Sequence, residues 1–158
     1  MVDELVWDKN TGEIRILGQR HAAVNIQALC NHLDSLVGIQ VAEVIMHNLE
    51  FHLGKEDAAR IKTEKTHAKL HEIIENLAQS NRLSGVGVTK VRLPENQLEP
   101  IEVEVTNPAV TGVSGAAKAF MFAWWTGAMT ILLDKELDLK NVIYDQKMNV
   151  KKCQIIPR

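Results

Sequence analysis

The stretch AAKAFMFAWWTGAMTILL, residues 116–133, decides how the rest of the chain is interpreted. We call it the aromatic segment, because it contains Phe120, Phe122, Trp124 and Trp125, four of the seven Phe, Trp and Tyr residues of the chain. Its uncharged run, 119–133, has 15 residues, and as a helix it would reach about 22 Å. A bilayer core is about 30 Å thick and requires about 20 residues. The segment therefore predicts a helix buried in protein and no membrane partner.

Every face of this predicted helix, from about Gly115 to Leu133, is uncharged, so other protein groups must surround it. Its bulky residues would pack in a sheet-facing core, across a dimer interface or around an apolar ligand, and the pattern leaves these alternatives open. Small-molecule pockets are mostly apolar and aromatic, with few polar groups. The candidate pocket combines residues of this helix with two from an earlier helix, namely Phe120, Trp124, Met129, Met46 and Phe51, and takes its polar groups from Thr126 and Thr130.

Apolar spacing predicts three helices before the aromatic segment. The first runs from His21 to Val37 and stops at Gly38. A second follows, and Gly54 ends or kinks it before a polar stretch, 55–67. Its apolar stripe is Ala42, Ile45, Met46, Leu49 and Leu53, and the stripe of the third helix is Leu70, Ile73, Ile74 and Leu77.

Three β regions complete the pattern. LVWDKNTGEIRIL, 5–17, predicts a hairpin around a polar turn. IEVEVT, 101–106, alternates apolar and polar residues and predicts a strand that pairs with GVGVTKVRL, in which a change of parity suggests a bulge near Thr89 or Lys90. NVIYDQKMNVKKCQII, 141–156, predicts two more strands. Helices and strands are partly segregated, which favours a single α+β domain, 1–158, with helices packed on a twisted antiparallel sheet.

Composition excludes several function classes. The net charge is −2 and basic residues form no stripe, which argues against a nucleic-acid partner. Cys30 and Cys153 are too few and too distant to indicate a disulfide framework, so we expect a reducing, cytoplasmic location. The N-terminal residues are acidic and lack the apolar run of a signal peptide.

The sequence offers little evidence for a catalytic or metal-binding arrangement of residues. Neither a Ser–His–Asp or Cys–His arrangement nor a phosphate-binding glycine loop is evident, so no catalytic residue and no cofactor are predicted. His67, His71 and Glu75 recur at four-residue steps, which suits either a metal ion or an ordinary solvated face.

In this order the elements resemble the 4-vinyl reductase, or hydrocarbon-binding, domain family. The resemblance rests on GEIRILGQR, GIQVAEVIMHNLEFHLG, GVGVTKVRL, IEVEVTNP, WWTGAMTILL and the terminal NVIYDQKMNVKKCQIIP. It implies a fold like that of vesicle-tethering-complex subunits and nitric-oxide sensor domains, and a ligand-binding or sensory module that is often a homodimer. Zinc occurs in the family, but here only Cys153 matches a ligand cysteine, and Asp145 stands where another is expected.

The leading hypothesis is a cytoplasmic, homodimeric module that binds a small apolar or aromatic molecule and is read by a separate signalling or regulatory protein. The first alternative, implied by the resemblance, is a component of tetrapyrrole 4-vinyl reduction, which would make the chain an oxidoreductase. The second is an assembly protein whose apolar helix forms a subunit interface.

Overall fold

The computed structural model describes residues 5–8, 13–16, 19–21, 24–96 and 99–158. Within these ranges the strands and helices alternate in blocks, as an α+β domain does. The elements in chain order are β1 (Leu5–Asp8), β2 (Glu13–Ile16), β3 (Gln19–His21), α1 (Ile26–Val37), α2 (Ile39–Glu64), α3 (Leu70–Leu83), β4 (Val88–Arg92), β5 (Ile101–Thr106), α4 (Gly115–Ala119), α5 (Phe122–Leu133), β6 (Leu137–Asp145) and β7 (Val150–Pro157).

The main sheet is antiparallel, with the strand order β4-β5-β7-β6. The alternation of IEVEVT is confirmed: Ile101, Val103 and Val105 are buried on the helix side. On the same side, α5 and α3 contribute to one apolar cluster with β5 and β7. The predicted α+β architecture, with helices on one face of an antiparallel sheet, is therefore confirmed.

The predicted bulge in β4 is wrong. Its pairing with β5 runs without interruption from Val88 opposite Thr106 to Arg92 opposite Glu102. The change of parity arises because the strand begins at Val88, which is 42% exposed, and turns Thr89 inward. The irregularity of the sheet lies instead in β6, between residues 140 and 143.

The N-terminal hairpin is confirmed by the pairing of β1 with β2, and β3 extends it into a three-stranded meander. Its polar turn, 9–12, lies outside the described residues. The first helix begins at Ile26 rather than at His21, which lies in β3. The reason is the cap: the Asn25 side chain accepts a hydrogen bond from Ala28 N at 3.0 Å.

The second helix passes through Gly54 and ends at Glu64, so the predicted end at Gly54 is wrong. Gly54 lies against the backbone carbonyl of Trp124, and Gly127 of α5 lies against the carbonyl of Phe51. A Cβ atom at either glycine would overlap that carbonyl oxygen. The two glycines therefore let α2 and α5 cross with their backbones in contact.

The predicted apolar stripe of α2 is only partly correct. Ala42 and Met46 are buried, but Ile45, Leu49 and Leu53 are 43%, 53% and 42% exposed. The helix is thus apolar on two sides, and spacing alone does not show which side faces the core. The third helix agrees with its predicted stripe, because Ile73, Ile74 and Leu77 are buried.

The aromatic segment is enclosed by the other elements. Among the described residues, Gly115–Leu133 is the one stretch with the length and hydropathy of a membrane span, and 72% of that window is buried within the protein. Burial of this extent is what the core helix of a globular domain shows.

Candidate functional site

The aromatic segment is broken in its middle, so the prediction of one continuous helix is wrong. The chain ends α4 at Ala119, turns at Phe120 and Met121, and begins α5 at Phe122. Met121 has φ 68° and ψ −40°, and Phe122 N donates to Phe120 O at 2.9 Å. This is a γ-turn of the rare, positive-φ kind. Such strained residues cluster at binding and switch sites, which makes the break a starting point for a site.

Two ionisable side chains, the half-buried Glu50 and the buried Lys151, bind the backbone at the break. The Glu50 carboxylate of α2 accepts a hydrogen bond from Met121 N at 3.1 Å. The Lys151 ammonium of β7 donates to Ala117 O at 2.5 Å and lies 5.3 Å from the centroid of the Phe122 ring. These bonds satisfy a donor and an acceptor that an unbroken helix would have paired internally.

Neither ion has a partner of opposite charge within 4.0 Å among the described residues. Burial raises the pKa of Glu50 to about 7, an effect that the Met121 amide reduces and nearby Asp57 reinforces. Burial lowers the pKa of Lys151, which is 1% exposed, to about 8. Both charges therefore carry an uncompensated cost of desolvation.

A cavity of about 290 Å³ opens beside the break, between α2, α3 and α5. We call it the α2–α3–α5 cavity. Its walls combine aromatic, aliphatic, acidic and hydroxyl side chains, contributed by Glu50, Leu53, Asp57, Ser80, Asn81, Ser84, Val86, Phe120, Met121 and Trp124.

The polar groups of this cavity differ in how many of their hydrogen bonds are made within the protein. Asp57 accepts a hydrogen bond from Trp124 Nε1 at 3.0 Å and pairs with Arg60 at 3.3 Å. The indole ring is therefore held in one orientation. Asn81 is only 8% exposed, and its Nδ2 has no hydrogen-bond partner. A buried donor without a partner is costly, but this nitrogen has almost no accessible surface and is therefore not presented to a ligand in the cavity.

The structure brings two of the predicted pocket residues, Phe120 and Trp124, into this cavity and places the other five elsewhere. Met129 is fully buried in the main core. Met46 belongs to a second apolar cluster, which includes Cys30 and is bridged to the main core by Phe120. Phe51 stacks with the ring of His47 at 6.0 Å.

The two threonines predicted as polar pocket groups also lie in the interior. Thr126 is fully buried and donates to Phe122 O at 2.8 Å within its own helix. Thr130 is 6% exposed, and its hydroxyl has no partner. The cavity takes its polar groups from α2 and α3 instead.

Sequence reasoning missed Glu50, Asp57, Asn81 and Met121. A signal for Glu50 was present, because it follows Met46 by four positions and precedes Gly54 by four, which puts a carboxylate on the buried face of α2. No comparable signal marks Met121, since a strained turn inside an apolar run has no characteristic residue type.

Trp125 is fully buried in the main apolar cluster, to which residues of β5 and β7 also belong. It packs edge-to-face with Trp124, with ring centroids 5.1 Å apart, and its Nε1 has no hydrogen-bond partner. Trp124 belongs to the same cluster and also lines the cavity, so one of the two adjacent tryptophans serves both regions.

The residues implied for zinc do not fit a metal site. Cys153 is buried in the main core, and burial raises the pKa of its thiol well above its usual range. Asp145 is exposed and accepts hydrogen bonds from the backbone of Lys147 and Met148. No group of three His, Cys, Asp or Glu side chains in the described ranges could hold a metal ion, and that includes the histidines of α3 and the 65–69 turn.

A second cavity of about 240 Å³ lies at one end of the main sheet, beside the 94–99 loop. The α2–α3–α5 cavity, which is larger and adjoins the strained turn, is the stronger candidate site.

Comparisons with known proteins support the fold. A scan against protein-family models and a search of curated proteins found no match. A search of solved structures found the phenol-responsive sensory domain of the transcription activator PoxR, crystallised with phenol. The two chains are 16% identical, with a TM-score of 0.72 over 97% of this chain and 84% of that one. At this identity the likeness establishes that the two chains share an α+β fold.

Proposed function

We propose that this protein is a small-molecule-binding module whose ligand, a compact molecule with an aromatic or apolar ring, occupies the α2–α3–α5 cavity. The observation that carries the proposal is the cavity itself, with its Phe120 and Trp124 walls and the polar side chains that α2 and α3 contribute. Its volume of about 290 Å³ is at the lower end for ligand pockets, which suits a one-ring molecule. The fold shared with a phenol-responsive domain supports the same function.

In this proposal the module acts in the cytoplasm and a separate signalling or regulatory protein reads its state. The route for such a signal is short, because Glu50 both lines the cavity and binds the Met121 amide at the strained turn. Tetrapyrrole 4-vinyl reduction stays a hypothesis on which no comparison bears.

Binding can be tested by isothermal titration calorimetry with three one-ring probes, namely phenol, tyramine and its neutral analogue tyrosol. We expect at least one probe to bind the wild-type protein, Trp124→Ala to weaken that binding at least tenfold, and Trp7→Ala to leave it unchanged. Native mass spectrometry of the purified protein would detect a molecule that is already bound. Equal affinity in the two tryptophan variants, or no binding of any probe at millimolar concentration, would contradict the proposal.

A specific observation also favours the assembly alternative in the form of a homodimer. Nine large apolar residues are exposed on α1 and on residues 39–53 of α2, and we call this set the α1–α2 face: Leu29, Leu36, Val37, Ile39, Val41, Val44, Ile45, Leu49 and Leu53. Each is at least 36% exposed, and concentrations of exposed apolar residues mark interaction sites.

We infer that a second copy of the chain covers the α1–α2 face, because exposed apolar residues are unfavourable in water and self-association would bury the same face of both copies. Leu53 belongs to both this face and the cavity, so ligand and partner would share a wall. Sedimentation velocity should show a dimer that Ile45→Glu with Leu49→Lys converts to a folded monomer. The control is Ile143→Glu, because Ile143 is 58% exposed on β6. A wild-type monomer at micromolar concentration would contradict the inference.

A further inference from the structure

Resting on the proposed function, we propose that the α2–α3–α5 cavity selects a positively charged ligand, a small aralkyl amine. The fold neighbour was crystallised with phenol, a neutral molecule. The inference therefore depends on the side chains of this chain and departs from what the shared fold suggests.

The first argument is the charge of the walls. Two of the lining residues are acidic, and none is basic. Arg60 neutralises only Asp57, at 3.3 Å. Glu50 has a single hydrogen bond, from Met121 N, and no cation beside it among the described residues. A bound ammonium group would supply the missing counter-charge in a desolvated site, where an ion pair with further hydrogen bonds is favourable.

The second argument is the aromatic surface. Phe120 and Trp124 line the same cavity as the two carboxylates. Cations are attracted to the faces of aromatic rings, most strongly to Trp. The hydrogen bond from Trp124 Nε1 to Asp57 fixes the indole before any ligand arrives. A preorganised wall costs less ordering on binding.

Binding of a cation should be coupled to the ionisation of Glu50. Burial raises the pKa of this carboxyl to about 7, so at neutral pH a large fraction is protonated. Asp57 faces it from α2, the Cys30 thiol from α1, and Asn81 lines the cavity from α3. Lys151 lies across the break and binds Ala117 O. A bound cation favours the carboxylate, so affinity should rise with pH between about 6 and 8 and protons should be released.

The test compares tyramine with tyrosol, which differ by an ammonium against a hydroxyl group. In calorimetry at pH 7.5 we expect the wild-type protein to bind tyramine at least tenfold more tightly. Glu50→Gln should reduce this preference to threefold or less, since glutamine can still accept the Met121 hydrogen bond. Glu43→Gln is the matched control, because Glu43 lies on the same helix and pairs with Lys118 outside the cavity. It should keep the full preference.

Three outcomes would overturn the inference. Tyrosol or phenol binding at least as tightly as tyramine would remove the charge selectivity while leaving the proposed function intact. An unchanged preference in Glu50→Gln would remove the role of Glu50. Absence of binding by tyramine, tyrosol and phenol alike would overturn the proposed function as well.

Discussion

The two tryptophans of α5 are adjacent in the sequence but differ in what surrounds them. Trp125 is fully buried in the apolar cluster shared with β5 and β7, which we call the sheet side. Trp124 donates to Asp57 and lines a cavity together with Glu50, which we call the cavity side. Both regions contain a buried donor without a partner. Of the two, the cavity side has an open volume of about 290 Å³ with carboxyl groups in its wall, which suits it to bind a small molecule.

The largest loss of stability should come from removing the Trp125 side chain on the sheet side. We expect Trp125→Ala to lower the free energy of unfolding by about 3–5 kcal/mol, because it leaves a void in a packed core. Trp124→Ala should cost about 2 kcal/mol, since the enlarged site opens to an existing cavity that water can enter. Urea unfolding followed by circular dichroism measures both. Equal losses would mean that the two sides are energetically alike.

A somewhat smaller loss of stability is expected at the backbone contact between α2 and α5. Gly54→Ala should destabilise the protein by about 3 kcal/mol, because its Cβ would overlap the carbonyl oxygen of Trp124 and the backbone there cannot move independently. Ala59→Ser on the exposed face of the same helix is the control and should change stability by less than about 0.5 kcal/mol. A fully stable Gly54→Ala protein would show that α2 and α5 do not touch.

On the cavity side, stability should fall as pH rises. The folded pKa of Glu50, about 7, lies above its ordinary value of 4.5. The unfolded chain therefore releases this proton first, and folding weakens between about pH 4.5 and 7, by on the order of 2 kcal/mol. Unfolding midpoints across this range should show that Glu50→Gln removes the decline. A decline that is unchanged in the variant would assign it to other groups.

On the sheet side the trend should be reversed and of similar size. The folded pKa of Lys151, about 8, lies below its ordinary value of 10.5. The folded state loses this proton first, so stability should rise between about pH 8 and 10.5, by on the order of 2 kcal/mol. Lys151→Met should abolish the rise, whereas Lys152→Met, which removes only an exposed pair with Glu104 at 2.8 Å, should keep it. Identical profiles for the two variants would contradict the assignment.

Much of the fold was predictable because it follows from periodicity. IEVEVT alternates with a period of two, and 70–77 repeats at helical spacing, so the strand and the stripe of α3 were recovered. The predictions failed where one sequence feature is compatible with two structural roles. Gly54 was interpreted as a helix end, yet it is the contact point of two helices, and the exposed leucines of α2 were assigned to a core that they do not face.

What the sequence determined by itself is that residues 119–133 must be enclosed, because an uncharged run of this length is stable only when protein surrounds it. It also indicated Phe120 and Trp124 as pocket residues. Only the tertiary structure decided that the run breaks at Met121, that Glu50 from α2 and Lys151 from β7 bind the broken ends, and that Asn81 is left without a partner. These features depend on groups far apart in the chain, and no local spacing records how helices and sheet bring them together.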